Sequence, residues 1–577
     1  MYTLGINAAF HDCAAALVCD GDVLAAAEEE RFTRVKHGKR PVPFSTWQLP
    51  YNAIDYCLAA AGLHLRDVDH IAYSFNPWLL LPDRSAAQSM ALPLEPSATP
   101  RADGASPWEP LFLSYIVNAP RQLVDGAPHH LQTRFNGVNL DHVMPRWQFV
   151  EHHLAHEASA FLASPYDETA VLTMDGRGER ASTSYGHYKA GRYERIRQVD
   201  LPHSLGLLYE DLTRYLGFLH SSDEYKVMAL ASYGKPAYMA EFRDILKADG
   251  NGGYTVGPTD LVKRFGPPRP RGGEYEKRHM DIAHSLQKTL EETVLNMSEW
   301  LHRQTGSDNL CMAGGVALNC VLNAHLEDKG PFKHIWVQPA AGDAGTALGA
   351  ALWVDAKQRD DGCKRWVMDH AYLGPAYEDD EIELFLQRSG VRYRRLNHIA
   401  DVAADLLARD KILGWFQGRM EFGPRALGAR SILASPRDGA MQARLNELKD
   451  REDFRPVAPV VMEERAPLWF DSRGKPSIHA PFMLFVFDVL PDKADEIPAV
   501  RHIDGTARVQ TVNRHQHALL YDLLVAFEAR TGVPVLVNTS FNTRGEPVVC
   551  SPRDALESFW TSPLDALVIG SFLVEKP

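Results

Sequence analysis

Residues 2–30, YTLGINAAFHDCAAALVCDGDVLAAAEEE, decide how the chain begins to fold. Two apolar runs, YTLGINAAF and CAAALVC, precede the dipeptide Asp20-Gly21, and a third run, DVLAAAEEE, follows it. Asp-Gly between apolar runs favours a hairpin turn, because both residues accept the positive φ angles that a two-residue turn requires. The stretch therefore predicts successive strands, two of which are joined by a tight turn.

A second copy of this arrangement follows later in the chain. TAVLTMDGRG (169–178) is an apolar run, and STSYGHYKAGRYERIRQV (182–199) contains Ala190-Gly191 as a possible turn. Two copies of one strand–hairpin arrangement indicate an internal duplication. Duplicated sheets that hold a nucleotide between them are typical of the actin, sugar-kinase and heat-shock ATPase superfamily. We therefore predict an N-terminal, actin-like duplicated α/β domain.

The remaining stretches predict how the chain is organised. NLCMAGGVALNCVLNAHLED (309–328) and HIWVQPAAGDAGTALGAALWVDAKQ (334–358) each predict a strand, a glycine-rich loop and a helix. After about residue 360, helical stretches alternate with short strands. We place a domain boundary near residue 365, which predicts two domains, 1–365 and 366–577.

Residues 76–136 differ from their surroundings, because they are rich in Pro, Ser and Ala and show little periodicity. They predict a long insertion or lid. The apolar run Trp78 to Leu81 could cover an apolar substrate or pack against its own domain.

Charge and cysteine content limit the protein's surroundings. The net charge of −13 argues against a broad nucleic-acid surface. The seven cysteines form no CxxC pair, as is typical of reduced thiols in a cytosolic protein. The start, MYTLGINAAF, has no basic segment before an apolar one, and no run is long enough to span a membrane. We expect a cytoplasmic protein without nucleic-acid or membrane partners, with a homodimer one option for its assembly.

Four residues form a candidate metal site. EHHLAHEASAF (151–161) predicts a helix on which His152 and His156 share a face. Asp175 ends an apolar strand, and Asp343 lies in a glycine-rich loop before a helix. Two imidazoles and two carboxylates suit Fe(II), Mn, Co or Zn. The alternatives are a turn residue at Asp175 and a helix N-cap at Asp343.

The first loop offers a candidate base. His11 and Asp12 follow the first predicted strand, and a histidine can accept a proton from a hydroxyl while a carboxylate holds its tautomer. A surface turn histidine is the alternative. Lys36 lies in a basic run that is either solvated or in contact with a phosphate or carbonyl.

Two glycine-rich loops could bind a nucleotide. AGGVALN contains Gly314, Gly315 and Asn319, and GDAGTALG contains Gly345. Backbone N–H groups ahead of a helix bind phosphate, although such glycines also allow close helix–strand packing. The amide of Asn319 could hold a ribose or an adenine edge, or cap its own helix.

The C-terminal part is rich in arginines flanked by Gly and Pro. Arginine binds planar oxyanions through paired hydrogen bonds, so these residues predict a pocket for a small phosphorylated substrate. A surface salt-bridge network is the alternative. The arginines are Arg419, Arg425, Arg430, Arg437, Arg451, Arg455 and Arg508, and the polar residues Asn538, Ser540 and Asn542 are predicted to join them.

Ten motifs in this order resemble the ATP-dependent O-carbamoyltransferases of antibiotic and nodulation-factor biosynthesis, over most of the chain. They are FHDCAAALV, EEERFTRVKH, HHLAHEASAF, TMDGRGE, LCMAGGVALN, GDAGTALGAAL, GRMEFGPRALGARS, DFRPVAP, DGTARVQTV and NTSFNTRGEPVV. Residues 76–136 are not covered, and Cys13 stands where a small residue such as Ser or Ala is expected.

The resemblance implies an actin-like N-terminal domain and a YrdC-like C-terminal α/β domain. In such enzymes carbamoyl phosphate and ATP (with Mg) form carbamoyl-adenylate in the YrdC-like domain. A hydroxyl of a natural-product acceptor then attacks the adenylate at a metal, which the resemblance implies is iron.

The resemblance also implies roles for individual residues. His152, His156, Asp175 and Asp343 match the metal ligands, His11 the base and Lys36 an adenylate contact. The residues that match the nucleotide-binding positions are Gly314, Gly315, Asn319 and Gly345. Those that match the carbamoyl phosphate pocket are Arg425, Arg455, Arg508, Asn538 and Ser540.

Three other functions compete with this one. An actin-like small-molecule kinase would release ADP, but it leaves the arginine-rich motifs unexplained. A tRNA threonylcarbamoyl transferase fits poorly with the acidic net charge. An ATP-dependent chaperone-like binder would not need His11, the metal set or the arginines.

Overall fold

A computed structural model describes residues 1–38, 49–81, 109–125, 143–359, 364–543 and 545–576. The chain forms two compact units. The first comprises Met1–Gly206, Thr305–Ala317 and His334–Met368, and the second comprises Leu207–Gln304, Leu318–Lys333 and Asp369–Pro577. The division into domains 1–365 and 366–577 stays a prediction, since the second unit also takes in two earlier stretches.

The first unit begins with a five-stranded sheet. Its strands, numbered along the chain, lie in the order 3-2-1-4-5. Strand 2 runs antiparallel to its neighbours 1 and 3, and strands 4 and 5 run parallel to strand 1. The predicted hairpin is confirmed: Asp20 and Gly21 have φ angles of 49° and 97°. The strands are Tyr2–Asn7, Ala14–Cys19, Asp22–Glu28, His70–Tyr73 and Trp147–Phe149.

A second five-stranded sheet repeats this order and these directions. Its turn is again the predicted one, with φ angles of 51° at Ala190 and 74° at Gly191. The internal duplication and the actin-like α/β class are therefore confirmed. The strands are Glu168–Met174, Ala181–Lys189, Arg192–Asp200, Asn309–Ala313 and His334–Val337.

Two helices occupy equivalent positions in the duplicated halves. His152–Phe161 follows the last strand of the first sheet, and Ala344–Gln358 follows the last strand of the second. The helices approach closely at Gly349, where a Cβ atom would lie 1.8 Å from the carbonyl oxygen of Ala155. Glycine is therefore required at this crossing. The same two helices carry or border three of the four candidate metal ligands, His152, His156 and Asp343.

The predicted insertion is only partly described. Helices Glu109–Val117 and Ala119–Asp125 pack Leu113, Ile116 and Leu123 into the core of the first sheet. These described parts therefore pack on their own unit. Residues 82–108 and 126–142 lie outside the described residues, so the lid remains a prediction. The other helices of this unit are Glu30–Thr33 and Tyr51–Ala60.

The second unit is built on an eight-stranded mixed sheet, which makes it α/β as predicted. From one edge to the other its strands are Tyr393–Arg395, Phe572–Glu575, Ala566–Ile569, Leu413–Phe416, Arg430–Ala434, Val535–Ser540, Ala458–Met462 and Gln510–Val512. Two short pairs join Leu246–Ala248 to Tyr254–Val256 and Phe487–Asp488 to Thr506–Ala507.

Helices make up much of the rest of the second unit. No helix among the described residues is both long and apolar enough to cross a membrane. The helices are Leu205–Tyr215, Glu224–Ala231, Met239–Ile245, Leu261–Phe265, Lys277–Thr305, Cys320–Lys329, Asp379–Ser389, Ile399–Ala408, Met441–Leu448, Ala518–Thr531 and Pro552–Thr561.

Candidate metal centre and arginine pocket

The first unit buries a cluster of two histidines and two aspartates. His152 and His156 lie one turn apart on the helix His152–Phe161, and both side chains are fully buried. Asp175 follows the first strand of the second sheet, and Asp343 precedes the helix Ala344–Gln358. One possible ligand atom from each residue lies within 4.8 Å of all the others. The fold therefore brings all four predicted ligands together.

The distances within the cluster suit one divalent ion. Nε2 of His152 and Nε2 of His156 each lie 3.5 Å from Oδ1 of Asp343, and Nε2 of His152 lies 3.8 Å from Oδ2 of Asp175. Two ligands at the usual metal distance of about 2.1 Å are about 3.4 Å apart in a tetrahedral shell. A single ion could therefore reach all four side chains.

Unsatisfied buried atoms point to the same conclusion. Nε2 of His152 and of His156, and both carboxylate oxygens of Asp343, are buried without a hydrogen-bond partner among the described residues. Such orphan atoms are costly unless an ion or water satisfies them. The residues present therefore fit a metal ion, although their role as ligands remains a prediction.

Electrostatics within the cluster favour charged side chains despite burial. Burial alone would raise the pKa of Asp175, but His152 and His156 lower it well below its usual range. Burial would likewise lower the pKa of His152, but Asp343 and Asp175 raise it. The carboxylates are therefore in the form that binds a metal, whereas a bound ion would have to displace the proton from His152, because only the neutral imidazole is a ligand.

Neighbouring groups orient the ligands. Nδ1 of His152 lies 3.2 Å from the carbonyl oxygen of Ser74, which turns Nε2 toward the aspartates. The N–H of Gly315 donates to Oδ1 of Asp175 at 2.7 Å. Such partners fix the ligand geometry. Sequence reasoning missed Ser74, because only the pairing of distant strands brings it to this helix.

His11 lies at the edge of the cluster. Its Nε2 is 3.7 Å from Oδ2 of Asp343, and its Nδ1 is 2.9 Å from Oδ2 of Asp12. The other oxygen of Asp12 lies 2.8 Å from Nδ1 of His37, a histidine that sequence reasoning did not select. Lys36, the neighbour of His37, is half-buried. The predicted base therefore stands beside the predicted metal, with a carboxylate in contact with its Nδ1.

The glycines predicted to bind nucleotide also have packing roles. Gly314 has a φ angle of 90°, and a Cβ atom there would lie 2.2 Å from the carbonyl oxygen of Met174. A Cβ atom on Gly345 would lie 2.0 Å from the carbonyl oxygen of Ala340. Close packing therefore requires both glycines, and the nucleotide role stays a prediction.

Asn319, in the second unit, caps its own helix. Its Oδ1 accepts from the N–H of Leu322 at 3.0 Å, and its Nδ2 donates to Gln287 at 2.8 Å. Both ends of the amide are therefore engaged. A contact with a nucleotide would require these bonds to be exchanged, and it stays a prediction.

Four arginines of the second unit lie close enough to influence one another. Burial and the neighbouring guanidinium of Arg508 lower the pKa of Arg425. Burial and the guanidinium of Arg455 act in the same direction on the pKa of Arg451. Nε of Arg425 and Nε of Arg508 are buried without a hydrogen-bond partner among the described residues. Repelling cations with free donors are suited to an anion.

The remaining candidate arginines have structural roles. Arg419 donates to the carbonyl oxygens of Leu373 and Gly374. Arg430 is fully buried and donates to four carbonyl oxygens, and Arg437 donates to the carbonyl oxygen of Ala408. The prediction that they join a substrate pocket receives no support from these contacts.

The other residues predicted to bind the anion lie at the end of the strand Val535–Ser540 and just after it. The fully buried Asn538 donates to Gln510 at 2.7 Å, while its Oδ1 has no partner among the described residues. Ser540 donates to Oδ1 of Asn542 at 2.7 Å. Nζ of Lys449 donates to the carbonyl oxygen and Oδ1 of Asn542, at 2.9 and 2.8 Å. Lys449 was not predicted, and no local pattern distinguishes it from a surface lysine.

The fold and these sites define an actin-like α/β protein with a buried histidine–aspartate cluster and, in its second unit, four neighbouring arginines that form the candidate arginine pocket. The family described as Carbamoyltransferase N-terminus matches residues 2–352, and Carbamoyltransferase C-terminus matches residues 404–576. The chain therefore belongs to the carbamoyltransferase family, as the resemblance predicted.

Individual relatives agree with this membership. An uncharacterized protein of Synechocystis is 40% identical and covers 100% of this chain and 97% of its own length. Nodulation protein NolNO of Sinorhizobium fredii is 39% identical over 99% of this chain and 80% of its own length. Among solved structures, component A of (R)-2-hydroxyglutaryl-CoA dehydratase from Acidaminococcus fermentans has a TM-score of 0.33 and 15% identity, covering 62% of this chain and 99% of its own.

Proposed function

We propose that this protein is an ATP-dependent O-carbamoyltransferase that acts on a hydroxyl of a natural product. Water hydrolyses carbamoyl phosphate to carbamate and phosphate, and an oxygen of the carbamate attacks the α-phosphate of ATP, which gives carbamoyl-adenylate and releases pyrophosphate. The acceptor hydroxyl then attacks the carbonyl carbon of the adenylate, and AMP leaves. Membership of the carbamoyltransferase family supports the transferred group.

The arginine pocket is the proposed site of adenylate formation. Arg425, Arg455 and Arg508 would bind the phosphate of carbamoyl phosphate, since guanidinium groups pair with oxyanions. Arg451 belongs to the same group, because the guanidinium of Arg455 adds to the effect of burial in lowering the pKa of Arg451. Asn538 and Ser540 would contact the carbamoyl group, and Mg would accompany ATP.

The histidine–aspartate centre is the proposed site of transfer. Two imidazoles and two carboxylates would hold Fe(II), with Mn, Co or Zn as alternatives. A divalent ion bound there would stabilise negative charge on the departing phosphate. The convergence of four buried ligand groups is the single observation that carries this assignment.

His11 would act as the base in this step. With Nδ1 of His11 donating to Asp12, Nε2 would carry the lone pair, and it lies 3.7 Å from Oδ2 of Asp343. Nε2 would take the proton from the acceptor hydroxyl as the carbonyl is attacked. Lys36 would contact the carbamoyl-adenylate, as the resemblance implies.

The proposed acceptor is a secondary metabolite. Two relatives are named nodulation proteins, which supports a hydroxylated signalling molecule or antibiotic as the acceptor class. We propose that the enzyme works in the cytoplasm, where carbamoyl phosphate and ATP are available.

A product assay tests the proposal. The purified chain is supplied with carbamoyl phosphate and ATP, and pyrophosphate, AMP and ADP are measured separately. Pyrophosphate release that requires carbamoyl phosphate is the expected result. The variant Arg508→Gln should lose it, whereas Arg437→Gln should retain it, because Arg437 donates to a backbone carbonyl.

The assay also separates the competing functions. ADP release would indicate a kinase, and nucleotide hydrolysis that ignores carbamoyl phosphate would indicate a chaperone-like binder. Adding a panel of hydroxylated natural products then identifies the acceptor through its gain of a carbamate, measured by mass spectrometry.

A further inference from the structure

We propose that Glu179 is a positioning residue of the metal centre, because its buried carboxylate holds the start of the helix that carries His152 and His156. Only 5% of Glu179 is exposed. The inference rests on the proposed metal centre. Glu179 itself is not proposed to contact the substrate or the metal.

The helix His152–Phe161 lacks a cap from its own N-terminal residue. Glu151 stands at the N-cap position, but its side chain makes no capping hydrogen bond. The carboxylate of Glu151 instead accepts from Arg195 at 2.7 and 2.8 Å. The first N–H groups of a helix have no partner within the helix, so another group must satisfy them when they are buried.

Glu179 supplies that cap from a distant part of the chain. The N–H of His152 lies 3.0 Å from Oε1 and 3.1 Å from Oε2 of Glu179. A carboxylate at this position is also favoured by the positive end of the helix dipole. The bond is made to the backbone of a predicted metal ligand, so it bears directly on where that ligand lies.

The same carboxylate fixes the segment that orients the histidine ring. Oε1 of Glu179 accepts from the N–H of Asn76 at 2.6 Å. Two residues earlier, the carbonyl oxygen of Ser74 lies 3.2 Å from Nδ1 of His152. His152 is therefore held at its backbone by Glu179, and at its ring by a segment that Glu179 also holds.

The loop that carries Glu179 begins at a third ligand. Asp175 and Glu179 lie in the same loop between two paired strands, and this loop is closed by a bond of 2.9 Å from the N–H of Asp175 to the carbonyl oxygen of Ser182 and by one of 2.8 Å from the N–H of Gly178 to the carbonyl oxygen of Ala181. A Cβ atom on Gly178 would lie 2.9 Å from Cδ2 of His153, so a glycine lets this turn approach the helix. Asp175 and His152, which lie on separate elements, are thereby tied together.

Removing the carboxylate should loosen the first turn of the helix. The N–H of His152 would be left buried without a partner, which favours fraying of that turn. Nε2 of His152 would then leave the ligand cluster more often. His156 lies one turn further into the helix, so its position should change less. The expected consequence is weaker metal binding without loss of the fold.

Cobalt(II) alone tests this expectation. Full-length protein and three variants are titrated with Co(II), and binding is followed by the visible absorption of the ion, while thermal melting is measured without metal. Glu179→Leu should bind Co(II) about 10- to 100-fold more weakly and change the absorption bands. Glu179→Gln keeps an oxygen acceptor and should stay close to the unaltered protein.

Glu157→Gln is the matched control. Glu157 is a fully buried carboxylate on the same helix, and it pairs with Arg195 at 2.9 Å rather than with the ligand cluster. It should lower the melting temperature but leave Co(II) affinity unchanged. If Glu179→Leu weakened Co(II) binding no more than Glu157→Gln, the positioning role would be overturned and the proposed function would stand. If the unaltered protein bound no Co(II), the metal centre of the proposed function would fail together with this inference.

Discussion

Oδ2 of Asp12 lies 2.9 Å from Nδ1 of His11. The second oxygen of the same carboxylate lies 2.8 Å from Nδ1 of His37, and the N–H of Asp12 donates to the carbonyl oxygen of His37 at 3.0 Å. The loop that holds the predicted base is therefore joined to the loop that holds Lys36. Both Asp12 and His37 have positive φ angles, 52° and 60°, which non-glycine residues adopt only when their surroundings enforce it.

Replacing Asp12 by Asn should slow carbamoyl transfer about 10²- to 10⁴-fold, because His11 would lose the carboxylate that holds its tautomer. Pyrophosphate release from carbamoyl phosphate and ATP should be unchanged, since it is proposed to occur at the arginines. Carbamate formation and pyrophosphate release are measured side by side. Asp22→Asn, at an exposed position of the hairpin, is the control. An equal loss of both activities would instead indicate a purely structural role for Asp12.

His156→Ala should reduce bound metal to background, because it removes one of four converging ligands. His153→Asn should retain the metal, since His153 turns its Nδ1 to the hydroxyl of Thr173 at 3.0 Å. Metal content per chain, determined by elemental analysis after dialysis, distinguishes the two. Equal metal loss in both variants would argue against the ligand set.

Arg508→Gln should stabilise the unliganded protein by about 0.5–2 kcal/mol, because it removes one of several half-buried cations that repel one another. It should also reduce the rise in melting temperature that inorganic phosphate produces in the unaltered protein. Ligand binding at 100 times its dissociation constant stabilises by about 2.7 kcal/mol, which a melting experiment detects readily. Arg437→Gln should keep the full response. A normal response to phosphate in Arg508→Gln would remove this residue from the pocket.

Gly349→Ala should destabilise the first unit by about 1–3 kcal/mol through overpacking, since the added methyl group would meet the carbonyl oxygen of Ala155 at 1.8 Å. Metal affinity should fall as well, because the displaced helix carries His152 and His156. Thermal melting and Co(II) titration measure the two effects. Gln358→Ala, at an exposed position of the same helix as Gly349, should change neither. Tolerance of Gly349→Ala would show that the two helices can separate without cost.

Local patterns predicted much of the fold correctly. Both hairpin turns lie where Asp20-Gly21 and Ala190-Gly191 placed them, and the helix His152–Phe161 lies within the stretch 151–161 that predicted it. The duplication was visible because each copy repeats its strands and turn within about thirty residues. The division into domains was harder to predict, because the second unit draws on three separate stretches of chain.

Local patterns also predicted the site residues only in part. The four metal-ligand candidates were chosen from spacing and residue type, and the fold brings them together. Seven arginines were chosen with them, but Arg419, Arg430 and Arg437 bind backbone carbonyls. Their sequence context is as rich in Gly and Pro as that of Arg425, so no local signal separates the two groups.

The sequence by itself determined the secondary structure, the duplication and the chemical types gathered at each site, because these depend on residues a few positions apart. Only the tertiary structure decided that Glu179 caps the helix of His152, that His37 shares Asp12 with His11, and that Lys449 binds the loop at Asn542. The physical reason is that each of these bonds joins separate segments. Their closeness depends on which strands pair and which helices cross, and no local spacing encodes that.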